Sequence, residues 1–357
     1  MKNLRRRVAR SFMIAAATLF ATAPAFAHGD EGGAAVGTLL PQGVTLVSAG
    51  YDFVKFEPIS DARLTALAAR GVEEVHSLQT IAVPTVSLGY GVTHDFSVGL
   101  RLPYLDNEEI RETDPAGPGV NARGGVRGIG DVSFSGTYRL IDDEASGFEA
   151  AVTLGVKAPT GRTNIAGQNG ELFETEHQPG SGSWDGFAAA AISKETGALT
   201  LSASAAYGFN GEGARQTTLG DRFSYGVAAS YRVWSREGGF DGGMMKLGTK
   251  FDGMMHHGGV NHDEPEEAPA HHHDGAFYGT TLDLSLGLNG QWTGTLETAG
   301  EINHNTGGNV VYITPGAKLS VNQWAGFVSV GIPVARDLNG IQSNPDWQLS
   351  TGVSLQF

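Results

Sequence analysis

Three features of the sequence predict an all-β chain that closes into a single antiparallel transmembrane β-barrel of about twelve strands. The chain begins with an export signal, repeats segments in which apolar and polar side chains alternate, and contains 52 Gly against 14 Pro. Alternating strands can cross a bilayer although their mean hydropathy, here -0.14, resembles that of a soluble protein. No run of about 18 consecutive apolar residues follows the signal, which excludes a helical membrane protein.

The first 27 residues are predicted to be a cleavable signal peptide. Five basic residues precede an apolar run from Phe12 to Phe20, and Ala25-Phe26-Ala27 provides a small-residue cleavage site before His28. The apolar run is shorter than the roughly 20 residues of a membrane-spanning helix, which argues against a permanent anchor. Residues 28–357 are therefore expected to form one barrel domain in the outer membrane of a Gram-negative bacterium.

Charge and cysteine content exclude two classes of function. The formal net charge is -14, and it becomes -19 without the five basic residues of the leader. Such a chain will not bind nucleic acid by neutralising phosphates. The absence of cysteine argues against a small secreted scaffold, which usually needs disulfides.

The clearest alternation lies at the end of the chain. Apolar residues from Trp347 to Phe357 alternate with polar or small ones that begin at Gln348, so one face would meet lipid and the other a polar lumen. A last strand that ends in an aromatic residue also resembles the signal that the β-barrel assembly machinery recognises. This machinery and outer-membrane lipid are therefore expected partners.

Further strands are predicted wherever the same alternation recurs. They lie at 96–104, 132–140, 148–156, 199–209, 223–233, 282–288 and 328–334, with weaker ones at 43–56, 77–92, 183–195 and 309–322. With the last strand they make twelve, an even number, as single-chain bacterial barrels have. Aromatic residues near strand ends are expected to form interfacial girdles: Tyr90, Tyr104, Tyr138, Tyr207, Trp234, Trp292 and Trp324.

Loop lengths predict which end of the barrel faces the periplasm, because periplasmic turns are usually short and outer loops long. Short turns are expected at 93–95, 142–146, 195–197 and 322–323, and outer loops at 58–75, 108–125, 159–182, 211–219 and 293–307. The segment 237–276 breaks this rule, since the longest connection would lie on the periplasmic side. Either it is a real periplasmic feature or the strand count is off by one nearby.

The same segment, 237–276, carries the densest cluster of metal-ligating side chains. Six of the 11 His lie within 18 residues, and imidazole binds Cu(II), Zn(II) and Ni(II) while thioether binds Cu(I). No spacing resembles a rigid three-ligand site, so a solvated loop and a Cu or Zn buffer or sensor stay equally open. The candidate metal ligands are Met254, Met255, His256, His257, His262, His271, His272 and His273.

Charged side chains on the polar faces of the strands are expected to line the lumen. They would either set the field that a solute meets or pair with one another and fill a narrow barrel. Eight-stranded barrels are filled by side chains and 16-stranded barrels leave a channel, so about twelve strands permit a small pore. The candidates are Arg101, Asp131, Arg139, Glu149, Lys157, Arg222, Arg232, Asp283 and Lys318.

Some outer-membrane barrels are lipases or proteases with catalytic residues at the rim, so the sequence could encode an enzyme of this kind. The sequence contains no Gly-x-Ser-x-Gly elbow, and His94, His177 and His304 are expected to be isolated, solvated loop side chains. The best group at the rim is His177 with Glu171, Glu174 and Glu176. We therefore predict neither an enzyme nor a required cofactor.

Four motifs follow one another along residues 75–357. They are Gly128-Ile129-Gly130-Asp131-Val132 leading to Tyr138-Arg139, then Lys157-Ala158-Pro159-Thr160-Gly161, Gly180-Ser181-Gly182-Ser183-Trp184-Asp185, and Gly220-Asp221-Arg222-Phe223-Ser224-Tyr225. Their order and spacing resemble the transporters of the meta-pathway of phenol degradation, a family of porin-like outer-membrane barrels. This resemblance implies a channel for small organic solutes.

Two hypotheses of function follow. The first is passage of a small solute through the barrel, and the second is a metal-binding outer-membrane protein whose barrel anchors the His-rich segment. Members of the family also resemble proteins found beside metal-resistance systems. The segment 237–276, in which this chain departs from the simpler pattern, puts an aromatic substrate in doubt and favours a connection with metal. The solute and the oligomeric state stay open, since barrels of this size occur alone and as trimers.

Overall fold

In the computed structural model, the described residues are 39–72, 75–113, 119–143, 145–237 and 279–357. They form twelve antiparallel barrel strands, as predicted. The strands are β1 (Thr45–Glu57), β2 (Thr80–Gly91), β3 (Phe96–Thr113), β4 (in two parts, Val120–Ile129 and Val132–Asp143), β5 (Phe148–Ala158), β6 (Asp185–Thr196), β7 (Leu199–Phe209), β8 (Arg222–Glu237), β9 (Gly279–Thr293), β10 (Gly308–Val321), β11 (Trp324–Leu338) and β12 (Asn344–Gln356). Each strand pairs with its neighbours in sequence, and β12 pairs with β1 to close the barrel.

Side chains alternate between the two faces of the wall, as the sequence pattern predicts. Along β3, Leu100, Leu102 and Tyr104 are exposed on the outside, whereas Arg101 between them is 3% exposed. All seven aromatic residues of the predicted girdles are also exposed. An apolar outer face and a polar inner face are what a closed barrel in lipid requires.

The two ends of the barrel differ in their connections. At one end, here called the short-turn end, consecutive strands are joined by two to four residues at 92–95, 144–147, 197–198 and 322–323. The other end, here called the loop end, carries the long connections. Because β8 runs towards the short-turn end and β9 leaves from it, the connection 238–278 begins and ends there. The strand count is thus not off by one, and the residues of this connection lie outside the described ranges.

The predicted outer loop 108–125 is wrong, because strands continue through most of it. β3 extends to Thr113 and the first part of β4 begins at Val120. Ion pairs join the two strands, since Arg127 contacts Asp106 at 2.7 Å and Glu108 at 2.9 Å. Beyond the lipid a strand needs no apolar face, so the sequence alternation that predicts membrane strands is missing here.

β4 is interrupted at Gly130 and Asp131, where it passes Pro103 of β3. Proline has no N–H to contribute to a strand ladder, and the remaining bond runs from the Gly130 amide to the Pro103 carbonyl at 2.9 Å. The interruption leaves the Asp131 side chain 1% exposed and on the inside of the wall.

The loop end contains short elements instead of long irregular loops. They are helix α1 (Asp61–Ala68), the two-residue strand His76–Ser77 that pairs with β3, the 3-10 turns Thr175–His177 and Ala214–Gln216, and a small sheet of Thr217–Thr218, Leu296–Thr298 and Glu301–Asn303. Within the described ranges, the length and hydropathy of the helices are insufficient for any of them to span a membrane.

Residues 39–44 fold into the barrel at the short-turn end. Leu39 and Leu40 are at most 1% exposed, and the Leu40 amide donates to Ser97 Oγ at 2.8 Å. Gly91 permits this approach, because a Cβ there would lie 2.0 Å from the Pro41 carbonyl oxygen. The segment therefore narrows the lumen at this end.

Candidate functional site

The connection between β5 and β6, residues 159–184, folds into the barrel and is here called the inner loop. Sequence length alone predicted it as an outer loop, yet Phe173, Gln178 and Ser181 are at most 1% exposed. A connection of this length inside the barrel narrows the lumen at the loop end.

Asp131 binds both ends of the inner loop to the wall. Its Oδ1 accepts from the Gly161 amide at 2.8 Å, and its Oδ2 accepts from the Ser181 amide at 2.8 Å and from Ser181 Oγ at 2.9 Å. A carboxylate that accepts several short hydrogen bonds from backbone amides makes a strong charge-assisted contact.

Lys157 lies between two carboxylates beneath the same loop. Its Nζ is 3.5 Å from Asp131 Oδ2, forms a close ion pair with Asp185, and donates to Ser181 Oγ at 3.1 Å. All three charged side chains are at most 3% exposed. The two carboxylates carry one negative charge more than Lys157 neutralises. The hydroxyls of Ser181 and Ser183 donate hydrogen bonds to Asp131 and Asp185, respectively, and stabilise this charge.

Two glycines of the family motifs meet where the inner loop begins and ends. A Cβ on Gly180 would lie 2.5 Å from the Gly161 carbonyl carbon, and a Cβ on Gly161 would lie 2.7 Å from Gly180 Cα. Only glycine permits so close an approach of two backbones. The motifs therefore shape the attachment of the loop.

The middle of the inner loop is fixed by one apolar and one amide side chain. Phe173 packs against Ile110 and Val126 of the extended wall. Gln178 accepts from the Ile165 amide at 3.0 Å and donates to the carbonyls of Ile165 and Phe173, both at 2.9 Å. These contacts fix the position of the turn Thr175–His177 inside the barrel.

Five titratable side chains converge beside this turn and are here called the His76 cluster: His76, Glu112, Glu174, Glu176 and His177. His76 pairs in register with Glu112, and its Nε2 lies 3.5 Å from Glu112 Oε2 and 3.0 Å from Glu174 Oε2. Its Nδ1 lies 3.4 Å from Glu176 Oε1. The His76 and His177 rings are edge to face, with centroids 4.8 Å apart.

The cluster separates the pKa values of its two histidines. Burial alone would lower the pKa of His76, but the carboxylates of Glu174, Glu112 and Glu176 outweigh it and raise this pKa well above 6.5. Burial and the neighbouring His76 charge lower the pKa of His177. Burial would raise the pKa of Glu174, yet the positive charges around it, His76 first, lower that pKa to about 2. The same group of charges thus shifts the pKa values of the two histidines in opposite directions.

A cavity of about 170 Å³ adjoins the cluster inside the barrel. Its apolar lining comes from the wall and the loops, and includes Phe56, Leu78, Leu219, Leu296 and Val310. The side chains of His76, Glu176 and His177 reach its surface, as does that of Gln291. A mostly apolar cavity with a few polar groups is typical of a small-molecule site.

All nine residues predicted to line the pore lie inside the wall, but their contacts differ. Five of them form two groups. The first is Asp131 with Lys157, as described above. In the second, Arg232 contacts Asp283 at 3.1 Å, and Lys318 lies opposite Asp283 in register. Arg139 donates to Asp142 at 2.8 Å and Arg101 to Thr85 Oγ1 at 3.4 Å. Glu149 is 8% exposed and Arg222 lines the cavity. A role of these residues in solute passage stays a prediction.

The structure departs from the sequence predictions at the histidines. The eight predicted metal ligands from Met254 to His273 lie outside the described residues. The prediction that His177 is isolated and solvated is wrong, because its side chain is 4% exposed and faces His76. Sequence reasoning missed His76 and Glu112, which only the pairing of strands far apart in sequence brings together. Asp185 belongs to the motif that begins at Gly180, but nothing in the sequence indicates that it pairs with Lys157.

The fold is similar to that of a known outer-membrane β-barrel. The chain is similar to the COG4313 outer membrane channel from Pseudomonas putida F1, with 14% identity over 94% of this chain and 100% of that one and a TM-score of 0.58. It is less similar to LpxR from Salmonella typhimurium (10% identity, 87% and 99% covered, TM-score 0.42) and to the beta domain of the Bordetella autotransporter BrkA (11%, 88% and 100%, 0.40). None of the curated proteins compared matches the chain.

Residues 60–253, more than half of the chain, match the model of the family described as "Putative MetA-pathway of phenol degradation". The chain belongs to this family. The matched range contains the inner loop and all five residues of the His76 cluster. It includes the four motifs identified from the sequence.

Proposed function

We propose that this protein is an outer-membrane channel for small organic solutes and that the cavity beside the inner loop is a station on their path. The observation that carries this proposal is the cavity itself, about 170 Å³ of mostly apolar space inside a barrel with a polar inner wall. An engineered apolar cavity of about 150 Å³ binds benzene. The space therefore suits a solute with one ring or a short alkyl chain.

Family membership and fold support the same conclusion. The family description refers to phenol degradation, and the similar barrel from Pseudomonas putida F1 is described as a channel. The barrel interior is narrowed at both ends, by residues 39–44 and by the inner loop. Such a narrow lumen favours small solutes over the passage of large or folded ones.

The cavity can be tested by filling it. Val310 is 2% exposed and lines the cavity, so Val310→Trp should occupy much of that space. In planar bilayers, we expect the wild-type protein to show openings whose current phenol reduces at millimolar concentration. Val310→Trp should lose at least tenfold in sensitivity to phenol.

Val328→Trp is the matched control, since Val328 is 45% exposed on the outer face of β11 and a Trp there would meet lipid. It should retain the sensitivity of the wild type. A wild-type protein without openings at any voltage would contradict the channel proposal, and equal phenol sensitivity in both variants would remove the cavity from the path.

We further propose that residues 1–27 are removed on export and that the assembly machinery inserts residues 28–357 into the outer membrane. The basic start, the apolar run and the Ala-x-Ala site support cleavage. The aromatic end of the last strand supports recognition by the machinery. Mass spectrometry of the protein from outer membranes should find His28 at the amino terminus.

The alternative function is metal binding by the segment 237–276, with the barrel as its anchor. The six clustered histidines support it. Deletion of residues 254–274 should lower the number of Cu(II) or Zn(II) ions bound in calorimetry while the barrel stays folded. An unchanged number would remove this alternative.

A further inference from the structure

We propose that His76, Glu176 and His177 form a binding site for one divalent transition-metal ion, Zn(II), Cu(II) or Ni(II), inside the lumen at the loop end. This site is separate from the His-rich segment 237–276, and it does not depend on whether the barrel conducts a solute. Each of the three residues offers one ligand atom, and these atoms lie within 4.8 Å of one another.

Two of the three distances between the ligand atoms are close to those around an ion of this size, and the third is at most 4.8 Å. Glu176 Oε1 lies 3.4 Å from His76 Nδ1 and 3.9 Å from His177 Nε2. Ligands at about 2.0–2.1 Å from a tetrahedral zinc ion are about 3.4 Å apart. One pair already has this spacing, and a shift of about half an ångström of the His177 ring brings in the second.

His177 supplies a second observation that points to a ligand. Its side chain is 4% exposed, and neither ring nitrogen has a hydrogen-bond partner within the described parts of the chain. The nearest carboxylate oxygens, at 3.8 and 3.9 Å, are too far away for a hydrogen bond. Buried polar atoms are normally satisfied, and an ion at this position would satisfy Nε2.

Neighbouring carboxylates orient the first histidine. With the ion on Nδ1, the proton of His76 stays on Nε2, which lies within ion-pair distance of Glu174 Oε2 at 3.0 Å and Glu112 Oε2 at 3.5 Å but not in hydrogen-bond geometry, so a small rotation of the ring is needed to complete the contact. A carboxylate on the far nitrogen of a metal-binding histidine fixes its tautomer and makes it a better ligand. Arg123 contacts Glu112 at 3.0 Å and offsets part of the negative charge.

The chemistry of the three ligands determines which ions the site favours, and the cavity lies beside all three of them. Two imidazoles and one carboxylate favour Zn(II), Cu(II) and Ni(II) over Mg(II) and Ca(II), which prefer oxygen ligands. All three residues line the cavity, so the remaining coordination position faces it. Water or an oxygen donor of a solute in the cavity would complete the coordination.

The simpler explanation is a network of ion pairs around a protonated His76. It accounts for the contacts of His76 with its three glutamates, but it leaves the buried His177 ring without a partner. The two explanations also predict different results when the histidines are changed, because an ion-pair network does not bind a metal ion of defined stoichiometry.

The experiment compares zinc binding by the full chain and by single variants in detergent. His76→Gln, Glu176→Gln and His177→Gln should each bind one Zn(II) fewer than the wild type in calorimetry, since the segment 237–276 is intact in all of them. His304→Gln is the matched control, because His304 is exposed at the same end and outside the cluster. It should bind as many ions as the wild type.

Crystals of the full chain soaked in zinc chloride provide an independent measurement. We expect an anomalous difference peak between His76 Nδ1, Glu176 Oε1 and His177 Nε2, and its persistence in a hundredfold excess of Mg(II). Equal stoichiometry in the wild type and in all folded variants would overturn the proposal. So would anomalous peaks that lie only away from these three residues. Heat-modifiable migration on gels identifies the variants that are folded, and Glu176→Gln, the smallest change, keeps the test decisive.

Discussion

Along the barrel wall each strand bonds to its neighbour in sequence and presents an apolar outer face, whereas the inner loop bonds to side chains far away and shows no periodicity. The wall repeats one pattern twelve times. The loop depends on single contacts, such as that of Ser181 with Asp131, 50 residues earlier. The wall is therefore specified by a repeated alternation of apolar and polar side chains, and the loop by a few individual residues.

Removal of the Lys157 side chain should weaken the attachment of the inner loop more than any other single change. Lys157→Ala would leave Asp131 and Asp185 buried without their shared cation, and loss of one partner from a buried ion pair costs about 3–5 kcal/mol. We expect the urea midpoint of the refolded barrel to fall and the inner loop to become accessible to protease. Lys194→Ala, at an exposed position of β6, should change neither, and an unaltered midpoint for Lys157→Ala would contradict the role of this group as an anchor.

A charge on the outer face should destabilise the wall and leave the inner loop unaffected. Leu154 is 67% exposed in the middle of β5, and Leu154→Arg should destabilise the inserted barrel by about 2–4 kcal/mol because the arginine would meet lipid. Leu172, 48% exposed in the inner loop, meets water instead. Leu172→Arg should thus be nearly neutral, and equal losses in vesicle refolding would show that the Leu154 face does not contact lipid.

A single methyl group should disturb the backbone contact between the two ends of the inner loop. Gly161→Ala would place a Cβ 2.7 Å from Gly180 Cα, and overpacking of this kind costs about 1–3 kcal/mol. We expect a larger single-channel conductance, because the Cβ would also lie 3.0 Å from the Gly130 carbonyl carbon of the wall and the loop must move away from it. Gly326→Ala in β11, whose Cβ would have its nearest neighbour at 3.7 Å, should leave stability and conductance unchanged. The reverse order of effects would contradict the close approach of the two glycines.

The same contrast explains how much the sequence could predict. All twelve barrel strands and four short turns could be predicted because lipid imposes an alternation that is visible locally. The continuation of β3 and β4 through 108–125 could not, since water imposes no such pattern. The His76 cluster could be predicted only in part. Glu174, Glu176 and His177 are close in sequence, but His76 and Glu112 join them through strand pairing and through an inner loop whose inward fold has no periodic signature.

The interruption of β4 at Gly130 and Asp131 has a mechanical consequence. Over most of the circumference, a load on a connection is spread along a continuous ladder of hydrogen bonds. At Asp131 the inner loop is tied to a stretch of wall where that ladder is broken opposite Pro103. A pull on the loop would therefore deform the cylinder locally, between β3 and β4, so that opening of the lumen and distortion of its wall would occur as one movement.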